Sequence, residues 1–229
     1  MSEGKIAIIE GTSCVGKTTL CESLERQGWI VLPEAIRYLE REKNQKQNEV
    51  ETQGADSEEK EIYMQDQFFR IERQKIIEAN QLKKQGKNVV IDKSFIATVA
   101  TAKAFERQKG FKGTFKRAYL KYCELLQELE MNGLIECDVF LLLTSNYNTI
   151  VKRNNTRSHV LNGIWIEEET IKNQRDILEK MTKEIVGSLG SKISRKKILD
   201  TTYLSKVQVE KEFYNVIESL NKEETTLTR

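Results

Sequence analysis

Apolar runs alternate with long amphipathic stretches along this chain. Lys5–Glu10, Trp29–Leu32, Asn88–Ser94, Cys137–Thr144 and Lys196–Thr201 read as strands. Their apolar residues run without polar alternation, the pattern of strands covered on both faces, as in parallel sheets. Between them, a period near 3.6 residues predicts helices over Lys17–Gln27, Ile62–Gln85, Phe95–Glu106, Thr114–Met131, Asn148–Asn154, Glu167–Leu189 and Ser205–Leu220. In the long second helix the periodic face is drawn by Ile62, Gln65, Phe69, Arg73, Ile76, Ile77 and Ala79. Regular β–α alternation predicts an open α/β sheet with helices on both faces. Ligands of such sheets bind outside the carboxyl ends of the strands.

Two stretches break the pattern. Residues 40–60 are almost wholly polar and read as a solvated, mobile insertion, able to cover a substrate when ordered. Residues 222–229 form a polar tail expected to fray. A length of 229 residues suits one domain, placed at residues 1–221. The formal net charge of +2 argues against a dedicated nucleic-acid binder, while a local basic pocket stays compatible with it. Four cysteines without a C-x-x-C pair, beside a single histidine, argue against zinc. The N-terminus lacks an apolar stretch suited to a signal peptide or membrane span, so we expect a cytoplasmic protein with reduced thiols.

Candidate chemistry begins where the first strand stops. Gly11-Thr12-Ser13-Cys14-Val15-Gly16-Lys17-Thr18 fits G-x-x-x-x-G-K-[ST] and sits between a strand and a helix. Glycines let backbone N–H groups wrap phosphate oxygens, and the helix that follows, starting through Lys17, Thr18 and Thr19, adds its positive dipole end. Lys17 would reach the β- and γ-phosphates, and Thr18 would offer its hydroxyl to Mg²⁺. The loop therefore predicts ATP with Mg²⁺ as cofactor, and leaves the acceptor of the phosphoryl group open.

Two acids lie at the ends of the next strands. Glu34 follows the second strand and Asp92 ends the third, just before Lys93-Ser94. Phosphoryl transfer uses one carboxylate to accept or orient the nucleophile's proton and another to hold Mg²⁺ through water. Asp92, after an unbroken apolar run, reads as the metal-side acid together with Thr18; either acid could serve as the base. Downstream, Arg153 and Arg157 are four residues apart, the spacing of one helix face, and would clamp a transferring phosphate. The turn Val160–Gly163 would let residues 153–166 close as a lid. His159 reads as structural more than as a phosphate ligand.

The segments "GTSCVGKTTL", "GWIVLPEAIRYL", "VVIDKSFIATVA", "VKRNNTRSH", "IEEETI" and "ILD" are collinear with, and resemble, the deoxynucleoside kinase and thymidylate kinase branch of the P-loop kinases. They are also similar to related ATP-dependent kinase-like AAA domains that carry a Pro-Glu-Ala-x-Arg segment. The resemblance implies a P-loop NTPase three-layer sandwich with a five-stranded parallel sheet in the order 2-3-1-4-5 and an arginine-bearing lid. It makes Glu34 the general base toward a substrate hydroxyl. It aligns Asp92-Lys93-Ser94 with the family's acid-Arg-Ser, where Lys93 lacks the bidentate fork of arginine. Arg153 and Arg157 become lid arginines, and His159 falls where the family has a third. A substrate-facing Gln and Arg are implied on the long second helix, where Gln65 or Gln67 and Arg70 or Arg73 are the candidates. Arg37, one turn after Glu34, is another.

Taken together, the residues and the resemblance predict an ATP-dependent kinase with a nucleoside or nucleoside monophosphate as its small-molecule partner. Alternative readings are a kinase acting on a 5′-hydroxyl or modified base of nucleic acid, and a P-loop ATPase switch with water as acceptor. Members of the family often dimerise through helices beside the sheet, so the resemblance leaves a homodimer open.

Overall fold

The computed structural model describes residues 3–43, 55–134, 137–188 and 193–227. Its elements in chain order are β1 (Ile6–Gly11), α1 (Lys17–Arg26), β2 (Ile30–Leu32), α2 (Ala35–Lys43), α3 (Glu58–Lys84), β3 (Val89–Asp92), α4 (Phe95–Lys109), α5 (Thr114–Met131), β4 (Cys137–Thr144), α6 (Tyr147–Asn155), a 3₁₀ turn (Gly163–Ile166), α7 (Glu168–Ser188), β5 (Ile193–Asp200) and α8 (Lys206–Leu227). The strands pair in parallel as one sheet, β2-β3-β1-β4-β5. This is the P-loop sandwich expected from the sequence, with the expected strand order.

Successive side chains of a strand face opposite ways, so each central strand feeds two cores. Ile6, Ile91, Phe140 and Leu142 pack against α3, α4, α5 and the middle of α7. Ala7, Ile9, Val90, Leu141 and Leu143 pack against α1, α6 and α8 on the other face. Register then sets the functional edge. Ile9 pairs with Asp92, Gly11 with Leu143 and Thr144 with Asp200. The ends of β1, β3, β4 and β5 therefore reach one carboxyl edge.

Several boundaries differ from the expectation. Trp29 is not in β2: its N–H closes on Leu24 O at 3.1 Å and its ring sits edge-on to Phe213 at 5.3 Å, so it seals the α1–β2 connection. β5 begins at Ile193, before the expected Lys196, because β4 offers partners from Cys137 onward. It is an edge strand carrying Arg195, Lys196 and Lys197, charges that suit an unpaired edge and hide the strand from an apolar count. Helix α2 was not expected; its short apolar face, Ala35, Ile36, Tyr38 and Leu39, packs on Met64, Phe68 and Ile71 of α3. Helix α8 continues through Leu227, where a frayed tail was expected, and the last two residues lie outside the described ones.

Of the polar stretch 40–60, residues 44–54 lie outside the described residues. Its described end is ordered by specific contacts. Ala55 is buried against Phe105 and Ile164, and its carbonyl accepts from Lys109. Ser57 caps α3, accepting from Lys60 N at 3.2 Å, with Glu58, Glu59 and Glu61 in the first turn to meet the helix dipole.

The expected lid at residues 153–166 is divided. Arg153–Asn155 end α6, and Gly163–Ile166 form the 3₁₀ turn with Ile164 buried on Phe105. Buried Asn154 staples the two parts by donating to Leu161 O and accepting from Leu161 N, both at 2.9 Å. The intervening Thr156–Val160 are exposed.

Candidate active site

The loop between β1 and α1 takes its shape from two glycines. Gly11, at φ 147°, passes so close to β4 that a Cβ would lie 2.4 Å from Leu143 O. Gly16, at φ 107°, caps α1 and has no side chain to accept from the first-turn N–H groups, which stay available to an anion. Val15 between them is buried in the core under the loop, fixing its base. Lys17 is buried, and its ammonium donates to Thr12 O at 2.7 Å across the loop. Burial, and then the neighbouring Lys93, push its pKa down, while Glu34, Asp92 and Glu10 pull the other way. Thr18 is exposed; Ser13, Cys14 and Thr19 are half-buried.

Around that ammonium lies a cluster of charge. Lys93 donates to Glu34 Oε2 at 2.9 Å, with side chains 27% and 23% exposed. Burial works to raise the Glu34 carboxyl, but Lys93 and Lys17 override it and hold it at about 2. Asp92 is buried and its Oδ1 has no partner. Burial and the Glu34 charge push Asp92 up to about 6, against the pull of Lys17, Lys93 and Lys75. The two acids are thus driven apart, one firmly ionised and one easily protonated.

Lys93 occupies a backbone conformation, φ 59°, that side-chain-bearing residues disfavour. It persists because neighbours over-determine the turn. Lys93 N donates to Ile9 O at 3.0 Å. Glu10 Oε1 accepts from both Ser94 N and Ser94 Oγ at 2.6 Å. Lys75 Nζ, from α3, donates to Asp92 O and Lys93 O, each at 3.0 Å, and meets Glu72 Oε2 at 3.0 Å.

The arginine pair differs from expectation. Helix α6 ends at Asn155, so Arg157 lies beyond it and does not share a helix face with Arg153. Both still converge on the phosphate loop. Arg153 Nη1 donates to Thr201 Oγ1 at 2.9 Å and Val15 O at 3.3 Å, and Nη2 to Thr201 O at 2.6 Å. Arg157, exposed, reaches Cys14 Sγ at 3.5 Å. Arg153 is therefore a brace between the loop and the end of β5, and Arg157 the more open guanidinium. His159 is exposed on the same connection.

Helix α3 is rotated relative to the face read from its period. Arg73 points outward to Glu128 of α5, Nε to Oε1 at 2.7 Å, and does not face the site. Arg70 is likewise exposed and donates to Gln67 Oε1 at 3.3 Å. Gln65 is buried, with Nε2 on Glu61 Oε1 at 3.0 Å and its own Oε1 unpartnered. Arg37, half-buried on α2, adds to the field that keeps Glu34 ionised.

Sequence reasoning missed Glu10, Glu72, Lys75 and Thr201. Glu10 carried a readable signal: an acid inside the apolar run Ile6–Gly11 can be buried only with partners. Glu72 and Lys75 looked like one more polar pair on a long helix. Thr201, fully buried, carries hydrogen bonds to Arg153, Val15 O and Thr144 O, a role set by three segments far apart in the chain.

Among the described residues no group of three or more His, Cys, Asp or Glu could cage a metal ion. Also among them, no helix is long and apolar enough to cross a membrane. Residues 5–176 match the family model of the AAA domain. The fold is similar to that of thymidylate kinase from Candida albicans, at 15% identity over 96% of this chain and 94% of that one, TM-score 0.66. It is also similar to deoxyadenosine kinase from M. mycoides with products dCMP and dCDP bound, at 16% identity over 93% and 99%, TM-score 0.63. The YorR protein of Bacillus subtilis, in complex with phosphorylated GDP, aligns at 14% identity over 95% and 98%, TM-score 0.51. At these identities the likeness establishes the fold. No curated protein sequence matches the chain.

Proposed function

The chain belongs to the AAA domain family, and from that premise we propose that it is an ATP-dependent phosphotransferase moving the γ-phosphate to a nucleoside or nucleoside monophosphate. The observation that carries the reading is the cluster at the sheet edge: the phosphate loop with Lys17, and beside it the Glu34–Lys93 pair and buried Asp92. The Glu34–Lys93 pair lies outside the loop, where the hydroxyl or phosphate of a second substrate would meet the donor. The nucleotide complexes among the similar folds, deoxyadenosine kinase with dATP included, agree with it.

The residues present fit the nucleotide. Capless first-turn N–H groups and the Gly11 and Gly16 backbone suit phosphate oxygens, and Lys17 can exchange Thr12 O for a phosphate. Thr18 through its hydroxyl, and the unpartnered Asp92 Oδ1 through water, are the oxygens that would hold Mg²⁺. Bound there, the ion would neutralise charge on the phosphates. Glu34, ionised across the working range and fixed by Lys93, orients the acceptor hydroxyl and receives its hydrogen bond. A carboxylate so acidic is a weak base, which suits a loose transition state needing positioning more than proton removal. For a monophosphate acceptor, Lys93 and Arg37 supply the positive charge instead. Arg157 is the guanidinium free of α6 to meet the transferring phosphate, with Arg153 bracing the loop beneath. Gln65 offers its unpartnered oxygen as a candidate contact to the acceptor.

The test is γ-labelled ATP against panels of nucleosides, nucleoside monophosphates and 5′-hydroxyl oligonucleotides, with wild type and Glu34→Gln. Label transfer to a nucleoside that falls about 10²-fold or more in the variant, nucleotide binding retained, is the expected result for a hydroxyl acceptor. Transfer to a monophosphate that survives the substitution selects that acceptor. Label on oligonucleotides alone, or hydrolysis indifferent to every acceptor, overturns the proposal.

A further inference from the structure

We propose that the buried Glu72–Lys75 pair of α3 is a positioning element for the acceptor side of the site, holding the Asp92–Lys93 turn in the conformation that carries the Lys93 ammonium to Glu34. Lys75 is 0% exposed. Its ammonium has three protons, and the three acceptors around it are Glu72, Asp92 O and Lys93 O, at 3.0 to 3.1 Å. Two of those acceptors are backbone carbonyls of the very turn that places the candidate residues. The third, Glu72, lies one helical turn before Lys75 and orients the ammonium from below.

A buried ion pair is weak evidence for stability, because well-packed apolar residues commonly do as well or better. The adjacent positions of α3, Ile71 and Ile76, are buried aliphatics that pack in two different apolar clusters, so the pair has apolar packing to either side of it. What an apolar pair does not supply is donation to two adjacent carbonyls. That donation is needed here because Lys93 sits at φ 59°, a conformation its side chain disfavours. Glu10 pins the following residue from β1 through Ser94 N and Oγ, and Lys75 pins the preceding carbonyls from α3. The turn is gripped on both sides of the strained residue, and the Lys93 side chain leaves it toward Glu34 at 2.9 Å.

The meaning of this for turnover rests on the kinase reading; the geometry of the turn does not, so the experiment reads the turn directly. Folded protein is treated with an acetylating N-hydroxysuccinimide ester, and each lysine's rate is followed by peptide mass spectrometry, with thermal unfolding as the control. Glu72→Leu/Lys75→Met replaces the pair by helix-forming apolar residues of similar size. The expected result is a folded protein in which Lys93 alone is acetylated about fivefold faster, the loss of an ion pair of ordinary strength. Glu72→Gln keeps an oxygen under Lys75 and should leave Lys93 at its wild-type rate. A folded double variant with Lys93 unchanged overturns the proposal. Should the double variant not fold, Lys75→Gln decides: Lys93 accelerated above the other lysines supports the role, and Lys93 unchanged overturns it. Loss of phosphotransfer with Lys93 still protected in these variants would count against the positioning role and leave the kinase reading standing.

Discussion

Thr201→Val is the sharpest probe of how the phosphate loop is held. Thr201 Oγ1 is buried, accepts from Arg153 Nη1 at 2.9 Å, and lies 2.9 Å from both Val15 O and Thr144 O, of which its single proton can serve one at a time. Valine matches its shape, so no cavity opens and the loss is polar alone. One neutral hydrogen bond contributes ~1 kcal/mol and one to a charged donor ~2 kcal/mol. The second is discounted because Arg153 keeps Thr201 O at 2.6 Å and Val15 O at 3.3 Å. The net expectation is about 2 kcal/mol, equivalent to a fall of roughly 4–8 °C in Tm for a domain of this size. Because Val15 belongs to the phosphate loop, nucleotide affinity should drop about tenfold along with stability. Urea unfolding and titration with a fluorescent ATP analogue read the two effects, with Thr201→Ser as the control that restores both. Stability within about 0.5 kcal/mol of wild type for valine, or serine as damaging as valine, would mean that the Thr201 hydroxyl does not hold the loop.

Lys17→Met should abolish nucleotide binding while leaving the thermal midpoint unchanged or higher, since burial of the ammonium is unfavourable in the ligand-free fold; a collapse of the apo midpoint would count against that account. Arg73→Ala should cost less than about 1 kcal/mol and leave phosphotransfer untouched, because its partner Glu128 lies on the exposed side of α5; a raised KM for acceptor would return Arg73 to the site. Glu72 and Glu34 pull stability in opposite directions with pH. The Glu72 carboxyl is pushed by burial up to about 7, so the folded chain holds its proton longer than the unfolded one and stability falls as pH rises from about 4.5 to 7. Glu34, held at about 2, contributes stability present above about pH 4.5 and lost as pH falls toward 2. Chemical unfolding across pH should therefore show a shallower decline between 4.5 and 7 for Glu72→Gln than for wild type, and an equal slope would contradict the assignment.

Much of this molecule was determined locally. Unbroken apolar runs bounded by loops marked β1, β3 and β4, and the glycine spacing before Lys17 marked the phosphate loop, because burial on both faces and backbone wrapping each demand particular residues in a row. What the period could not settle was which side of a long helix faces inward. On α3, Arg73 lies at a position the hydrophobic period assigns to the core, yet it reaches Glu128, while Glu72 and Lys75 turn under the Asp92–Lys93 carbonyls. A charge is read as solvent-facing unless a partner is known, and here the partners are backbone atoms of another element. β5 and α2 were obscured for related reasons: one wears edge charges, the other has little more than a turn and a half of apolar residues. The spacing of Arg153 and Arg157 suggested one shared helix face, but the helix stops between them, and each reaches the phosphate loop by its own route. The sequence by itself thus determined the sheet, its loop and the residue types at its edge. Tertiary structure alone decided how those charges are paired, because the pairing of Lys93 with Glu34, Glu10 with Ser94 and Arg153 with Thr201 depends on strand register and helix rotation, which no local segment encodes.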